Sequence, residues 1–490
     1  MEHAAGQARI ARVVVPAGGR HGFLQPEMPG MRRCLLACFT LLLAVPPVAA
    51  QSYRLSLHAT APRALHQPRS YAITDVTVVP MDCDRVLEHY TVFVDDGIIT
   101  AMGPSAGLRV PAGVVKLDGR GRYLIPGLTE MHIHLGAGTG ESAADGLGRQ
   151  LRLALANGVT TMRGLLAPPG ILTARDRVNR GEILGPTLYV AAPSLNGQSV
   201  PDPATGRALV IAAKAQGYDL LKTHGGLTAE SYDVIVAEAR AQGLPLVGHV
   251  TAGYGLERAL RAGQQVEHLD GYLAAALPDG MPKPNGQVIE DDIAARVEWA
   301  RVRRLAEETR RLNVWNGMTL ALFEVIAGGE PAAAHAARPE MKYVPKAALA
   351  QWTGYLNNGP GAEPHFLAAR DSLAVALWRA GARLLVSADA PQIFLVTGFG
   401  THQEMQAMQR AGLPPYAVLE AATRNAAEFL NRTDAGTIAV GKRADLVLLD
   451  ANPLQDIANA AAIRGVMLRG QWLDRAALDA MLAEVEAAVR

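Results

Sequence analysis

The chain has 490 residues, too many for one small domain and enough for a large barrel with an accessory domain. Hydrophobic residues make up 49% of it and aromatics only 5%, so a sizeable core can form largely from aliphatic and small side chains. A net charge of +1 with no basic run argues against nucleic acid or an anionic membrane as partner and fits a small-molecule substrate.

Residues 1–30 show no periodicity, and Met31 reads as the start of an export signal. In "MRRCLLACFTLLLAVPPVAAQ" (31–51), Arg32 and Arg33 form a charged n-region and an apolar run follows to Val45. Val48 and Ala50 are small residues where a signal peptidase cuts. The run is short for a membrane span, so no stable anchor is expected after cleavage. The expected location is secreted or periplasmic, with Sec export favoured over the twin-arginine route that Arg32–Arg33 also suggests. Cleavage near Ala50 removes Cys34 and Cys38 and leaves Cys83, which allows no intrachain disulfide.

From Ser70 the texture is short β. "YAITDVTVVPMD", "YTVFVDDGIITAMGP" and "GVVKLDGRGRYLIPG" alternate Val, Ile and Thr, and their Asp-Asp-Gly and Asp-Gly signals read as hairpins. The texture returns in "AGTIAVGKRADLVLLDANP" (435–453) and "IRGVMLRGQWL" (463–473), which suggests a small β-sandwich built from both chain ends.

Between these ends, strand and helix alternate. Candidate strands are "GLTEMHIHL" (127–135), "VTTMRGLL" (159–166), "TLYVAAPSL" (187–195), "DLLKTHG" (219–225), "LPLVGHV" (244–250), "QVEHLDG" (265–271), "NVWNGMTLAL" (313–322) and "RLLVSADA" (383–390). Eight such units predict an α/β fold, a (β/α)8 TIM-like barrel. The connections after strands six and seven are long and rich in polar residues, Pro and Gly, as loops that cap a barrel often are. The expected organisation is an N-terminal extension with signal peptide (1–50), an N-terminal sandwich segment (70–126), the barrel (127–431), a C-terminal sandwich segment (432–475) and a C-terminal helix (476–490).

His132 and His134 are two apart in a strand and project to one side, where two imidazoles can hold a transition metal. Barrel chemistry collects at the C-terminal strand ends. Strand four ends in Lys222, strand five in His249, strand six in His268 and strand eight in Asp389, each in an apolar context where an unpaired ionisable group is costly. Taken singly, each has an ordinary structural role open to it: a hydrogen-bonded core histidine, a snorkelling lysine, a turn-capping aspartate. Together the six point to one site.

With "LIPGLTEMHIHLG", "YDLLKTHGG", "LVGHV", "VEHLDGY", "LLVSADAP" and "TRNAAEFLN…GTIAVGKRADLVLLDANPL", the chain resembles the amidohydrolase superfamily over roughly residues 72–475, in particular its secreted imidazolonepropionase-like and prolidase-like members. The resemblance implies two divalent metal ions, zinc being the first expectation. His132, His134 and Asp389 would hold one ion and His249 and His268 the other. Lys222, carboxylated to a carbamate, would bridge the two. A water activated between the metals attacks a carbonyl, and Asp389 serves as general base and then acid. The expected reaction is hydrolysis of a C–N amide bond in a dipeptide or N-acyl amino acid. A cyclic amidase or deaminase is the alternative, and a non-catalytic binding protein on a decayed barrel is an alternative of another class. A homo-oligomer is left open.

Four features depart from the family pattern. Gly164 follows Arg163 where relatives carry an acidic residue. The helix start "TRNAAEF" lacks a proline. The interval from Lys222 to His249 is shorter than in prolidase-like relatives. His224 lies on the same side of strand four as Lys222 and is read as a substrate contact. His402 is grouped with it; His402 and Glu404 in "GFGTHQEM" either shape the pocket or only start a helix.

Overall fold

The computed structural model describes residues 69–136, 142–281 and 290–490. The expected signal segment, with Cys34 and Cys38, lies outside these residues; Cys83 is free and exposed. Among the described residues no helix is long and apolar enough to cross a membrane.

The two chain ends meet in one eight-stranded sheet. Its members are β1 (Ser70–Val78), β2 (Leu87–Asp95), β3 (Ile98–Pro104), β4 (Val115–Asp118), β5 (Tyr123–Pro126), and from the far end β14 (Leu446–Leu449), β15 (Ile463–Leu468) and β16 (Gln471–Asp474). The order is β16-β15-β14-β5-β1-β2-β3, with β4 beside β1. The ends are joined where β14 runs antiparallel to β5, Leu446 facing Pro126 and Leu449 facing Tyr123. Ile73, Val92 and Leu124 from the N-terminal strands pack with Leu446, Leu448 and Met467 from the C-terminal ones.

The Asp-Asp-Gly signal makes the expected hairpin. Asp96 (φ 44°) and Gly97 (φ 84°) form the two-residue loop between β2 and β3, both left-handed, as a type I′ turn requires. The Asp118-Gly119 signal does not. β4 and β5 both run parallel to β1, at Tyr71–Thr74 and at Thr77–Val78, so this segment turns and continues along the same edge.

The eight predicted barrel strands all form, strand two over the length read and the others shorter: β6 (Leu128–His134), β7 (Val159–Leu166), β8 (Thr187–Val190), β9 (Leu221–Thr223), β10 (Leu246–Gly248), β11 (Gln265–Val266), β12 (Trp315–Gly317) and β13 (Arg383–Leu385). They pair parallel in two arcs, β6-β7-β8 and β13-β12-β11-β10-β9, as a TIM-barrel-like fold. Backbone bonds span both seams. Ala192 N donates to Leu220 O at 2.9 Å on one side, and Asp389 N to His132 O at 3.0 Å and His134 N to Ala390 O at 2.8 Å on the other.

The helices between strands stop by a repeated device. In the helices Pro203–Gln216, Ala229–Gln242, Gly255–Ala262 and Pro364–Ala380, the next residue is a left-handed glycine. The amide after each glycine then bonds back into the last turn, as in Leu244 N to Ala239 O at 2.9 Å and Ala382 N to Leu377 O at 2.9 Å. This Schellman geometry reverses the chain within a few residues of the next strand, which fixes where each strand begins.

Two readings change. Strand seven does not reach Leu322: Thr319 turns left-handed (φ 51°), and Leu320–Ala327 is a helix. The buried Glu404 carboxylate accepts from Leu320 N at 3.0 Å and Ala321 N at 2.8 Å, supplying the cap that Thr319 does not. The stretch after it, read as a loop, contains short helical turns and the helix Lys346–Asn357.

Candidate metal centre

His132 and His134 lie within β6 and Lys222 within β9, whereas the ladders of the other three strands end before the ionisable residue. β10 stops one residue short of His249, β11 two short of His268 and β13 four short of Asp389. The side chains there are held by features beyond the ladder. His268 and Leu269 are left-handed (φ 59° and 55°), as is Asp389 (φ 61°). Arg370, buried on the helix Pro364–Ala380, donates to His268 O at 2.8 Å and to Met318 O and Thr319 O at 3.1 Å each, and its guanidinium lies 3.9 Å from the Phe323 ring centre. One arginine thus pins the ends of strands six and seven.

All six residues expected at the site come together. His134 Nε2 lies 3.0 Å and His132 Nε2 3.2 Å from Asp389 Oδ1. Lys222, 0% exposed, brings Nζ to 3.3 Å from His132 Nε2. The ring centres of His132 and His268 are 4.7 Å apart, and those of His268 and His249 4.6 Å. His224 joins this row, 4.7 Å from His249, with Nδ1 at 2.5 Å from Ser194 Oγ. His402 does not. On the helix Phe399–Ala411 its Nε2 meets Asn157 O at 2.9 Å, supplying a donor to a carbonyl at a helix C-terminus.

Three rings of this row, His132, His249 and His268, are oriented through Nδ1. For His132 the partner is Glu267 Oε2 at 3.0 Å, and for His249 it is Asp270 Oδ2 at 2.7 Å. For His268 it is Thr319 Oγ1 at 3.1 Å, whose own proton goes to Ser387 O at 2.8 Å. These acceptors place the ring proton on Nδ1 and leave Nε2 as a lone pair. Burial holds His132 and His268 well below the usual imidazole pKa, so both stay neutral, and it lowers the Lys222 ammonium as well. His224 is held down to about 3, by burial first and then by Lys222 and His249.

One observation tests whether these groups suit a cation. Asp389 Oδ1 is buried and meets no hydrogen-bond donor, although two imidazole nitrogens flank it. Lone pairs converging without a proton between them are what a divalent ion satisfies, and His132, His134 and Asp389 offer ligand atoms within 4.8 Å of one another.

Several supporting residues escape a reading of the sequence. Glu267 Oε1 accepts from Arg163 Nη2 and Gln265 Nε2, each at 2.6 Å, while its other oxygen holds His132. The carboxylate expected after Arg163 therefore comes from the strand-six segment instead. A Cβ at Gly164 would lie 2.3 Å from Leu135 Cδ1, so a side chain has no room there. Glu130, pushed up to about 7 by burial, ties strand one to strand eight by accepting from His132 N and Ala388 N at 2.9 Å and Thr401 Oγ1 at 2.8 Å. The one local cue was "VEH", a glutamate directly before a candidate site histidine.

Residues 123–473 match the model of the Amidohydrolase family. The chain belongs to this family. It is therefore a hydrolase acting on carbon–nitrogen bonds, and the non-catalytic reading falls away. Among solved structures, this amidohydrolase is similar to a bottromycin amidohydrolase (26% identity, TM-score 0.64, covering 86% of this chain and 91% of that one). It is also similar in fold to a Xaa-Pro dipeptidase with methionine bound in its active site (18% identity, TM-score 0.63, covering 83% and 100%). A segment of 56 residues is 45% identical to adenine deaminase 2 of Agrobacterium fabrum (strain C58 / ATCC 33970), covering 11% of this chain and 9% of that protein. The family generally uses divalent metal, in keeping with the candidate site.

Two substitutions probe the support of His132. Glu267→Gln is expected to weaken metal binding by about 10–100-fold. It should also destabilise the fold by about 3–5 kcal/mol, because the buried Arg163 loses its counter-charge. Metal titration and thermal unfolding read these two effects separately. Gly317→Ala places a Cβ 2.2 Å from Glu267 Oε2 and 2.7 Å from Ser387 Oγ. The carboxylate must then leave His132, and metal affinity should fall although no ligand is altered. Unchanged affinity in both variants would remove Glu267 from the site.

Proposed function

We propose that this amidohydrolase cleaves the amide bond of a small substrate, a dipeptide or N-acyl amino acid, at a pair of divalent ions. The observation that carries the reading is the donor-free Asp389 Oδ1 between the ring nitrogens of His132 and His134, beside a buried lysine. In this reading His132, His134 and Asp389 hold one ion and His249 and His268 the second. Lys222, once carboxylated, would supply a carboxylate donor to both; the neutral amine that burial favours is the form that reacts with carbon dioxide. Zinc is the ion we propose, from the nitrogen and oxygen donors. Bound there, such ions lower the pKa of water from 15.7 towards about 7 and polarise a carbonyl. The Asp389 carboxylate takes the proton of the attacking water and delivers it to the leaving nitrogen. Glu267, Asp270 and Thr319 keep the ligand lone pairs aimed inward, and His224 contacts the substrate.

The same reading completes the strand ring as a closed (β/α)8 barrel over 127–431. It takes the sheet of the chain ends as a small sandwich and residues 31–50 as a signal for export to the periplasm or beyond. A second reading, deamination of a ring, draws on the adenine deaminase match.

The test is hydrolysis of dipeptide and N-acyl amino acid panels by protein supplied with zinc and bicarbonate, followed by chelation. Amine release that chelation abolishes supports the proposal. Ammonia release from adenine with no amino-acid product favours the second reading. Full activity in metal-free protein would sink both.

A further inference from the structure

His132, His249 and His268 present a lone pair at Nε2 because Glu267, Asp270 and Thr319 accept the proton of Nδ1. His224, at the end of the row, has a different kind of partner. Its Nδ1 lies 2.5 Å from Ser194 Oγ. A carboxylate only accepts, and the Thr319 hydroxyl spends its proton on Ser387 O. The Ser194 hydroxyl meets no group but Nδ1 among the described residues. Donating to Nδ1 uses its proton, whereas accepting from Nδ1 would leave that proton without a partner. The neutral His224 ring therefore carries its own proton on Nε2, the opposite tautomer to its neighbours.

Both ends of this hydrogen bond are fixed in advance of any substrate. Strands three and four stay paired beyond their ladders: Leu195 N donates to Lys222 O at 2.9 Å and His224 N to Leu195 O at 2.8 Å. Gly197 N then donates to Gly225 O at 3.0 Å, and a Cβ at Gly197 would lie 2.6 Å from Gly226 O, so the two loops touch backbone to backbone. Ser199 Oγ accepts from Asn196 N at 2.9 Å and donates to Ser194 O at 2.8 Å, which locks the turn that follows Ser194.

The ring belongs to the site. Its centre is 4.7 Å from that of His249, and Lys222, His249 and His134 all act on its charge. Nε2 has no hydrogen-bond partner among the described residues, yet it is not one of the buried polar atoms left without one, so it is accessible. An N–H cannot ligate a cation. Beside a candidate metal ligand and with no acceptor of its own, it suits an oxygen that the substrate brings in.

Resting on the amide-hydrolysis reading, we propose that His224 is a catalytic residue whose Nε2–H donates to the substrate carbonyl oxygen as that oxygen gains negative charge, and that Ser194 is the positioning residue that sets its tautomer. The proton stays on Nε2 throughout. A neutral imidazole N–H polarises a carbonyl in this way because it is a donor held in place before the charge develops.

The first test needs no turnover. Nitrogen NMR of the metal-free full chain carrying isotope-labelled histidine should show His224 protonated at Nε2 and His132, His249 and His268 at Nδ1, the His224 signal being the one that His224→Gln lacks. The second test is kinetic, on the dipeptide or N-acyl amino acid cleaved fastest in the panels above. His224→Ala should lower kcat by about 10²–10³-fold, the usual cost of one oxyanion donor, with KM and metal content unchanged. His224→Gln, whose amide N–H can stand in for Nε2–H, should retain more of kcat than His224→Ala. Ser194→Ala should cost about 2–10-fold in kcat, and Ser194→Thr, which keeps the hydroxyl, should restore it. A proton on His224 Nδ1 overturns the proposal and leaves amide hydrolysis standing. So does a raised KM at unchanged kcat in His224→Ala, which marks a contact made equally in the ground state, or a loss of metal there, which marks a ligand. An Nε2–H tautomer in a protein that cleaves no amide keeps the donor assignment and overturns the hydrolysis together with the catalytic role.

Discussion

Lys222→Ala is expected to lose bound metal and to lower turnover by more than the 10–100-fold that supporting residues typically cost. The residue is fully buried, with Nζ 3.3 Å from His132 Nε2. Glu267, Asp389 and Asp270 draw on its charge while burial opposes it. Alanine removes the group that would become the bridge but leaves all four expected histidine ligands and their Nδ1 partners in place. The fold should therefore survive while the metals leave. Formate or acetate, supplied at millimolar concentration, should restore some of the activity by standing in for the carbamate. Lys222→Arg should show no such rescue, since the guanidinium fills the space. Elemental analysis beside kcat decides the matter: a Lys222→Ala protein that retains two equivalents of metal at unchanged affinity refutes the bridge.

Asp389→Asn should lower kcat by about 10²–10⁴-fold, the usual worth of a general base. The exchange keeps the shape of the side chain and the backbone bonds of residue 389 to His132 O and from Gln392 Nε2. It replaces an oxygen that meets no donor by an amide that can donate to the flanking imidazole nitrogens. Metal-free Asp389→Asn should therefore melt no lower than the metal-free parent, and it should bind metal at His132 and His134 more weakly. An unaltered rate would remove Asp389 from the chemistry; a large drop in melting temperature would recast it as a structural residue.

The candidate site residues were legible because each breaks a local rule. An ionisable side chain at the end of an apolar β-prone run is costly unless it is used, and six such residues recur at the ends of five strands of one architecture. Glu267, Asp270, Thr319 and Glu130 were not legible in this way. Glu267 acts on a histidine 135 residues earlier, and Glu130 reaches Ala388 and Thr401, 258 and 271 residues later. His402 misled for the same reason in reverse. Its position after strand eight suggested a pocket, but its partner is a helix-end carbonyl 245 residues away.

What the amino-acid order established alone was the alternation of strand and helix, the Asp-Asp-Gly hairpin and the identity of the ionisable strand ends. All of these depend on interactions within a few residues, so any short window carries them. Strand lengths, the left-handed turns at His268, Thr319 and Asp389, the tautomer of each imidazole and the choice of Glu267 as partner to Arg163 were decided only by folding. Each depends on one hydrogen-bond donor meeting one acceptor across the barrel, and no local stretch of chain contains both.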